Sequence, residues 1–263
     1  MALAVLLYWT AGARGAGAHA FAAETIQVSS PDGAARIEVL LGDASRLSYR
    51  VMFRGKPVIE VSAIGIILDG AEISRDVELG SAESFRVDAK YPFRGVHSVA
   101  VNRFQGARIP VRDRKSGLSY SLEARAFNDG VAFRHHLPGS EASRVPDETT
   151  AFVIPAGSTV WYHDLSGHYE GVHRKRGIGE VGPGEWAAPP LTIRFPESAG
   201  YAAITEAALA NYSGMALRAG GQRDFTVVLG HAHPVSRPFQ LRYQDDIERP
   251  RPFPGPSSLR GAW

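Results

Sequence analysis

The side chains best suited to chemistry crowd into one short stretch, where His163, Asp164, His168, Glu170 and His173 follow one another. Imidazole nitrogens and carboxylate oxygens gathered in one loop can hold a divalent metal. The histidine spacing of five residues matches no zinc motif, so ordinary loop histidines are the competing reading. His231-Ala232-His233 would put two imidazoles on one face of a strand, but it lacks a third ligand nearby. Gly177-Ile178-Gly179-Glu180-Val181-Gly182 has dinucleotide-loop spacing, yet it follows Arg174-Lys175-Arg176 and runs into Pro183-Gly184. No helix N-terminus is expected there to receive a pyrophosphate. The basic triplet itself reads as a solvated loop. Neither a pair of glycosidase carboxylates nor a serine nucleophile turn can be picked out.

Composition limits the classes to which the chain can belong. With 263 residues, 44% of them hydrophobic, it can bury a sizeable core. The charges nearly balance, 29 basic against 27 acidic residues, so no nucleic-acid partner is implied. The absence of cysteine excludes disulfides, thiol catalysis and Cys-ligated zinc, and leaves the compartment open. Residues 1–20 read as an export signal, with an apolar run at 2–9 and Ala18-His19-Ala20 as a cleavage site before Phe21. No Lys or Arg precedes the run and Arg14 comes late, so a different start codon is the competing expectation. A periplasmic or extracellular location follows from the first reading. No other apolar run is long enough to span a bilayer.

The elements that must position these residues are strands. Ile37, Val39 and Leu41, then Leu47, Tyr49, Val51 and Phe53, alternate with polar positions on either side of Gly42-Asp43. Ser30-Pro31-Asp32-Gly33 is a turn before them. Residues 64–68 form a continuous apolar run expected to be buried on both faces. Segments 76–87 and 96–104 read as long, partly exposed strands around a turn at Tyr91-Pro92-Phe93-Arg94-Gly95. Tyr120, Leu122, Ala124 and Ala126, then Val131 and Phe133, predict a hairpin about Asn128-Asp129-Gly130, residues that tolerate positive φ. Short strands are predicted at 151–154, 160–162, 191–195, 201–204, 215–217 and 225–229, with one helical turn at 206–211 and a long loop at 167–190. Many short strands with Gly and Pro turns predict an all-β sandwich or barrel. After Pro234 the composition becomes that of a linker.

Several of these pieces occur in a telling order: Ser30-Pro31-Asp32-Gly33, the run from Phe127 through Asn128-Asp129-Gly130 to Arg134, Tyr169-Glu170, Pro189-Pro190-Leu191-Thr192, and the run from Thr205-Glu206 to Tyr212-Ser213-Gly214-Met215. Together they resemble the N-terminal domain of glycoside hydrolase family 97, over roughly residues 26–243. The resemblance implies a large β-sandwich, a super-sandwich similar to that of galactose mutarotase-like proteins, packed against a catalytic (β/α)8 barrel. It implies calcium-dependent hydrolysis of α-linked glucosides or galactosides. It also implies that Glu170 is the one calcium ligand this domain contributes. Glu206 and Tyr212 match a family run read as packing or support around the metal, and Tyr169 and Trp186 as parts of a sugar-binding rim.

The resemblance divides the chain into a signal segment at 1–20, the sandwich domain at 21–245 and a Pro-rich tail at 246–263 that leads toward a barrel absent from this sequence. A truncated gene, a fragment or a split enzyme is therefore expected, inactive alone and completed by a barrel in cis or in trans. The alternative is a free-standing carbohydrate-binding module in which Trp161, Tyr162, Tyr169 and Trp186 stack on sugar faces.

Overall fold

The computed structural model describes residues 25–138, 146–165, 171–207 and 212–229. The signal segment and the Pro-rich tail lie outside the described residues, as do Tyr169, Glu170, His168, His231 and His233. Among the described residues regular structure is strand, interrupted only by three short 3-10 turns.

The first sheet is a meander of β1 (Ile26–Ser29), β2 (Ala35–Leu41), β3 (Leu47–Phe53) and β4 (Lys56–Ala63), paired in that order. The expected turn at Ser30 opens it: the Asp32 carboxylate accepts from the Ser30 hydroxyl at 2.6 Å and the Ala34 N–H at 3.0 Å, and Gly33 takes φ +75°. The apolar run at 64–68 divides at Gly65, with Ile64, Ile66 and Leu68 buried and Ile67 half-buried. Its second part is β5 (Ile66–Leu68), which pairs with β6 (Ala71–Glu72).

β7 (Val77–Leu79), β8 (Glu83–Pro92), β9 (Val99–Asp113), β10 (Ser119–Phe127) and β11 (Gly130–His136) form the next sheet. The strand expected at 76–87 is divided into β7 and β8 by residues 80–82, β8 runs on through Tyr91 and Pro92 so that the turn lies at 93–98, and the strand expected at 96–104 is present as β9, which runs on to Asp113. The predicted hairpin is present as well, with Phe127 opposite Gly130. Its turn differs from expectation: Asn128, Asp129 and Gly130 are all absent from the residues at positive φ. The Asn128 amide oxygen instead accepts the Asp32 N–H at 3.2 Å, so this side chain ties two turns together across the sandwich.

β12 (Pro146–Glu148) returns to pair with β5. The last sheet collects β13 (Ala151–Val153), β14 (Thr159–His163), β15 (Arg174–Gly177), β16 (Trp186–Arg194), β17 (Tyr201–Ile204), β18 (Met215–Ala219) and β19 (Asp224–Leu229). Two expectations are corrected here. The loop at 167–190 is broken by β15 and by the start of β16, and Arg174-Lys175-Arg176 is a strand on the edge of β14 rather than a solvated loop. Pairing and ion bridges supply what its polar sequence could not signal. Between Trp161 and His163 the β14–β16 register shifts, where Pro189 and Pro190 cannot donate to the ladder.

Alternation along each strand sends one side inward. Ile37 and Val39, Leu47 and Tyr49, Ile109 and Val111, Leu122 and Ala124, Val160 and Tyr162, and Phe225 to Leu229 at every second position meet in one core. Each large aliphatic side chain buried this way contributes about 1.5–3 kcal/mol. The fold is the β-sandwich expected. Polar ties cross its core: the Tyr49 hydroxyl donates to the Ala151 carbonyl at 3.0 Å, and Arg223 bridges Glu60 and the Ile154 carbonyl.

Candidate functional site

The strongly perturbed acidic group among the described residues is Glu148, at the end of β12. Burial pushes its carboxyl up to about 7. Hydrogen bonds from the Tyr212 and Thr150 hydroxyls pull the other way, and the charges of Asp147 and Glu206 add to the rise. The same contact and the same burial drive the Tyr212 phenol far above its ordinary range.

Glu206 is half-buried beside this group and accepts the Met215 N–H at 2.7 Å. Burial raises its carboxyl, and the Met215 N–H opposes that rise. Glu206 thus fastens Met215 at the start of β18, and Glu148 fastens Tyr212 three residues earlier. The structure therefore brings together two of the sequence-predicted residues, Glu206 and Tyr212, and adds Glu148. Nothing in the sequence singled out Glu148, because it follows Pro146-Asp147 in a polar stretch and its partners are remote along the chain.

Trp186 is elsewhere. It is 8% exposed and packs with Leu165, Ala188 and Ala216, with the Arg218 guanidinium 5.7 Å from its ring centre. Its ring is packed in a small satellite core instead of being presented to solvent.

Of the histidine loop, His163, Asp164 and His173 are described. His163 is buried, its Nδ1 accepts the Leu165 N–H at 3.0 Å, and Leu165 is held at φ +61°. The His173 ring lies 6.0 Å from that of His163, and Arg174 bridges to Asp164. Beside them Glu185 is an ionic hub. It accepts the Tyr162 hydroxyl at 2.8 Å, the Gly182 N–H at 2.8 Å and Arg176 at 3.1 Å, which ties β14, β15 and the approach to β16. Burial would raise its carboxyl, but these hydrogen bonds and the charges of Arg176 and Arg174 outweigh that and hold it low. Gly177 ends β15 and leads into a single 3-10 turn, Ile178–Glu180, which offers no helix terminus to a phosphate.

Among the described residues no three His, Asp or Glu side chains converge closely enough to hold a metal ion. Glu148 and Glu206 are committed to Tyr212, Thr150 and Met215, so they do not fit a calcium cage, which needs six to eight oxygens.

Fold and site define an all-β sandwich domain whose partly buried Glu148 and Glu206 are held by its own Tyr212 and Met215. A sequence model of the family described as Glycosyl-hydrolase 97 N-terminal matches residues 28–247, and the chain belongs to that family. It is 27% identical over 187 residues to a probable retaining alpha-galactosidase of Streptomyces bingchenggensis, covering 69% of this chain and 27% of that protein. It is 27% identical over 134 residues to a retaining alpha-galactosidase of Bacteroides thetaiotaomicron, covering 50% of this chain and 19% of that protein. The chain thus spans about a quarter or less of these relatives. Among solved structures it is similar to a Glycoside Hydrolase Family 97 enzyme from Pseudoalteromonas sp. strain K8, solved with acarbose. That match has TM-score 0.71 and 23% identity, over 78% of this chain and 32% of that one. A beta-arabinopyranosidase is also similar, at TM-score 0.67 and 20% identity, over 77% of this chain and 35% of that one. At these identities the structural matches establish the fold.

Proposed function

We propose that this domain is the non-catalytic N-terminal part of a family 97 α-glycosidase that acts on α-linked galactosides or glucosides. A catalytic (β/α)8 barrel would be joined to it in cis or assembled with it in trans. The observation that carries this reading is the family match over residues 28–247, set against relatives named as retaining alpha-galactosidases of which the chain spans so small a share. The two partly buried glutamates agree with it, since both are engaged by the chain's own Tyr212 and Met215. Export through residues 1–20 belongs to the same proposal, and N-terminal sequencing of the secreted protein should then begin at Phe21.

In this reading Glu170 supplies one carboxylate to a calcium ion whose remaining oxygen ligands come from the barrel. The purified chain should release no p-nitrophenol from p-nitrophenyl α-galactoside or α-glucoside. Turnover by the chain alone, lost on Glu170→Gln, would overturn the proposal. Exchanged into the Streptomyces relative in place of its own N-terminal residues, the domain should support α-galactosidase activity. There, Glu170→Gln should raise the calcium concentration for half-activity about tenfold or more.

A second reading, a carbohydrate-binding module without catalysis, is favoured by one surface. Of the aromatics expected to stack on sugars, Tyr162 is in the core, whereas Trp161 is half-exposed on the outer face. Trp161 lies 6.5 Å from the ring of Tyr201, which is 70% exposed, and Lys175 and Arg194 flank it. An aromatic platform bordered by donors suits a pyranose face. Under this reading millimolar melibiose or maltose gives a calorimetric signal that Trp161→Ala abolishes, and no heat from the unmodified chain would dismiss it.

A further inference from the structure

β8 is a long edge strand with one side of its backbone unused. It has ten residues, pairs with β9 in an unbroken register from Glu83 opposite Arg108 to Pro92 opposite Val99, and pairs with no other strand among the described residues. β10 ends at the pair of Phe127 with Phe104, so beyond it β8 and β9 run on as a two-stranded ribbon. Such a ribbon is marginally stable by itself in water. Tyr91, Phe93, Val96, Val99 and Val101 stand exposed along it or at its turn.

One hydrogen bond fixes which backbone groups are free. The Phe93 N–H donates to the Ser98 carbonyl at 2.9 Å, and an antiparallel ladder repeats every two residues. Phe85, Val87, Ala89 and Tyr91 therefore turn their N–H and C=O groups to β9, whereas Ser84, Arg86, Asp88 and Lys90 turn theirs to the open edge. Pro92, which has no N–H, falls on the open side, where an edge tolerates it. The side chains alternate as well. Phe85 and Val87 share one face with Phe104, Ala89 and Tyr91 continue it, and the exposed Arg86, Asp88 and Lys90 take the other.

We propose that β8 pairs antiparallel with β8 of a second copy of this chain, about a two-fold axis at Val87, joining two sheets into one. Charge complementarity selects both the partner and the register. For the faces to match, outward-turned residues must meet outward-turned residues. An axis at Arg86 or at Asp88 opposes like charges, which destabilises a pair of strands. An axis at Ala89 brings Pro92 opposite Arg86, where a donor is missing, and one at Phe85 runs into residues 80–82, outside the strand. An axis at Val87 sets Arg86 opposite Asp88 of the second copy, and symmetry repeats the pair. Asp88 already holds Arg103 at 3.2 Å across β9, so charge would alternate through Arg103, Asp88 and Arg86 across the joined sheet. On the other face Val87 meets Val87, and Phe85 meets Ala89 of the second copy. The inference does not depend on the glycosidase reading, because none of these residues is assigned a part in hydrolysis.

The test is sedimentation velocity of the full chain, which should show a monomer in equilibrium with a dimer. A contact between two strands belongs to the small, transient class of interfaces, so the titration runs to about 500 µM. Arg86→Asp sets two carboxylates against each other on both sides of the axis, and Asp88→Arg sets two guanidiniums. Each variant alone should weaken the dimer about tenfold or more. Mixed in equal amounts, the two variants should associate nearly as well as the unmodified chain, because each exchanged charge then faces its opposite. Both side chains are exposed, so each variant should keep its fold, which far-ultraviolet circular dichroism checks. An unmodified chain that stays monomeric throughout, or a dimer that neither variant weakens, overturns the proposal and leaves the edge to a partner of another kind, such as the barrel. A mixture that fails to associate, where each variant alone is weakened, overturns the register at Val87.

Discussion

Replacing Glu123 by alanine is expected to lower the unfolding free energy by about 2–3 kcal/mol. Glu123 sits on the outward side of β10, yet its side chain is only 2% exposed. It is the shared anion of three guanidiniums: Arg125 Nε donates to it at 2.8 Å, Arg108 at 3.3 Å and Arg134 at 3.4 Å, and the His136 ring, whose Nε2 lies at 3.1 Å, accepts from Arg134 Nε at 2.9 Å. The Arg125 guanidinium also stacks 4.5 Å from the centre of the Phe104 ring. Removing the carboxylate leaves the three guanidiniums mutually repelling in a half-desolvated place. The effect stays below the roughly 3–5 kcal/mol of a wholly buried pair because Arg108 keeps half its side chain in water. Urea titration should show a lower midpoint at an unchanged slope. Burial alone would raise the Glu123 carboxyl, but the Arg125 hydrogen bond and the charges of Arg125, Arg134 and His136 hold it below its ordinary value. A depressed folded value means a contribution present above the ordinary carboxylate pKa of 4.5 and lost as pH falls through the folded value. Glu123→Gln should therefore flatten the acid limb of the stability profile, and an unaltered limb would refute the assignment.

Glu148→Gln should act in the opposite sense, stabilising the protein at pH 8 by about 2 kcal/mol while changing little at pH 4.5. The Glu148 carboxyl rises from 4.5 to about 7 on folding, chiefly through burial. A raised folded value means stability that is complete below the unfolded pKa and is lost as pH climbs through the folded one. The window is therefore about pH 4.5 to 7. The full shift would correspond to roughly 3 kcal/mol, and the partial solvent access of Glu148 reduces it. Glutamine keeps an acceptor for the Tyr212 hydroxyl and removes the charge. Thermal unfolding between pH 5 and 8 should show a falling melting temperature in the unmodified protein and a flat one in the variant. Parallel curves would show that Glu148 is not the titrating group.

Much of this was legible along the chain. Period-two alternation in β2, β3, β9, β10 and β11 reports which side chains turn inward, because a pleated strand presents successive residues to opposite faces. The same alternation places His135 on the inward face beside Phe133, a signal present in the sequence before any contact is known. β15 had no such signal: Arg174, Lys175 and Arg176 carry charge on both faces, and only the edge of β14, Glu185, Asp164 and the Trp161 ring make that stretch a strand. The turn at Asn128 was legible as a turn but not in its backbone form, since the competing partner for its amide, the Asp32 N–H, is 96 positions away.

By itself the sequence determined the all-β class, most of the longer strands and much of their inward set of apolar residues, because these depend on neighbours one to four positions apart. Only the tertiary structure decided which polar groups meet. Glu148 finds Tyr212 across 64 positions and Glu123 gathers cations from three strands. The free energy of a charge or an unmet hydrogen bond depends on the dielectric and the partners that packing supplies, and local sequence carries neither.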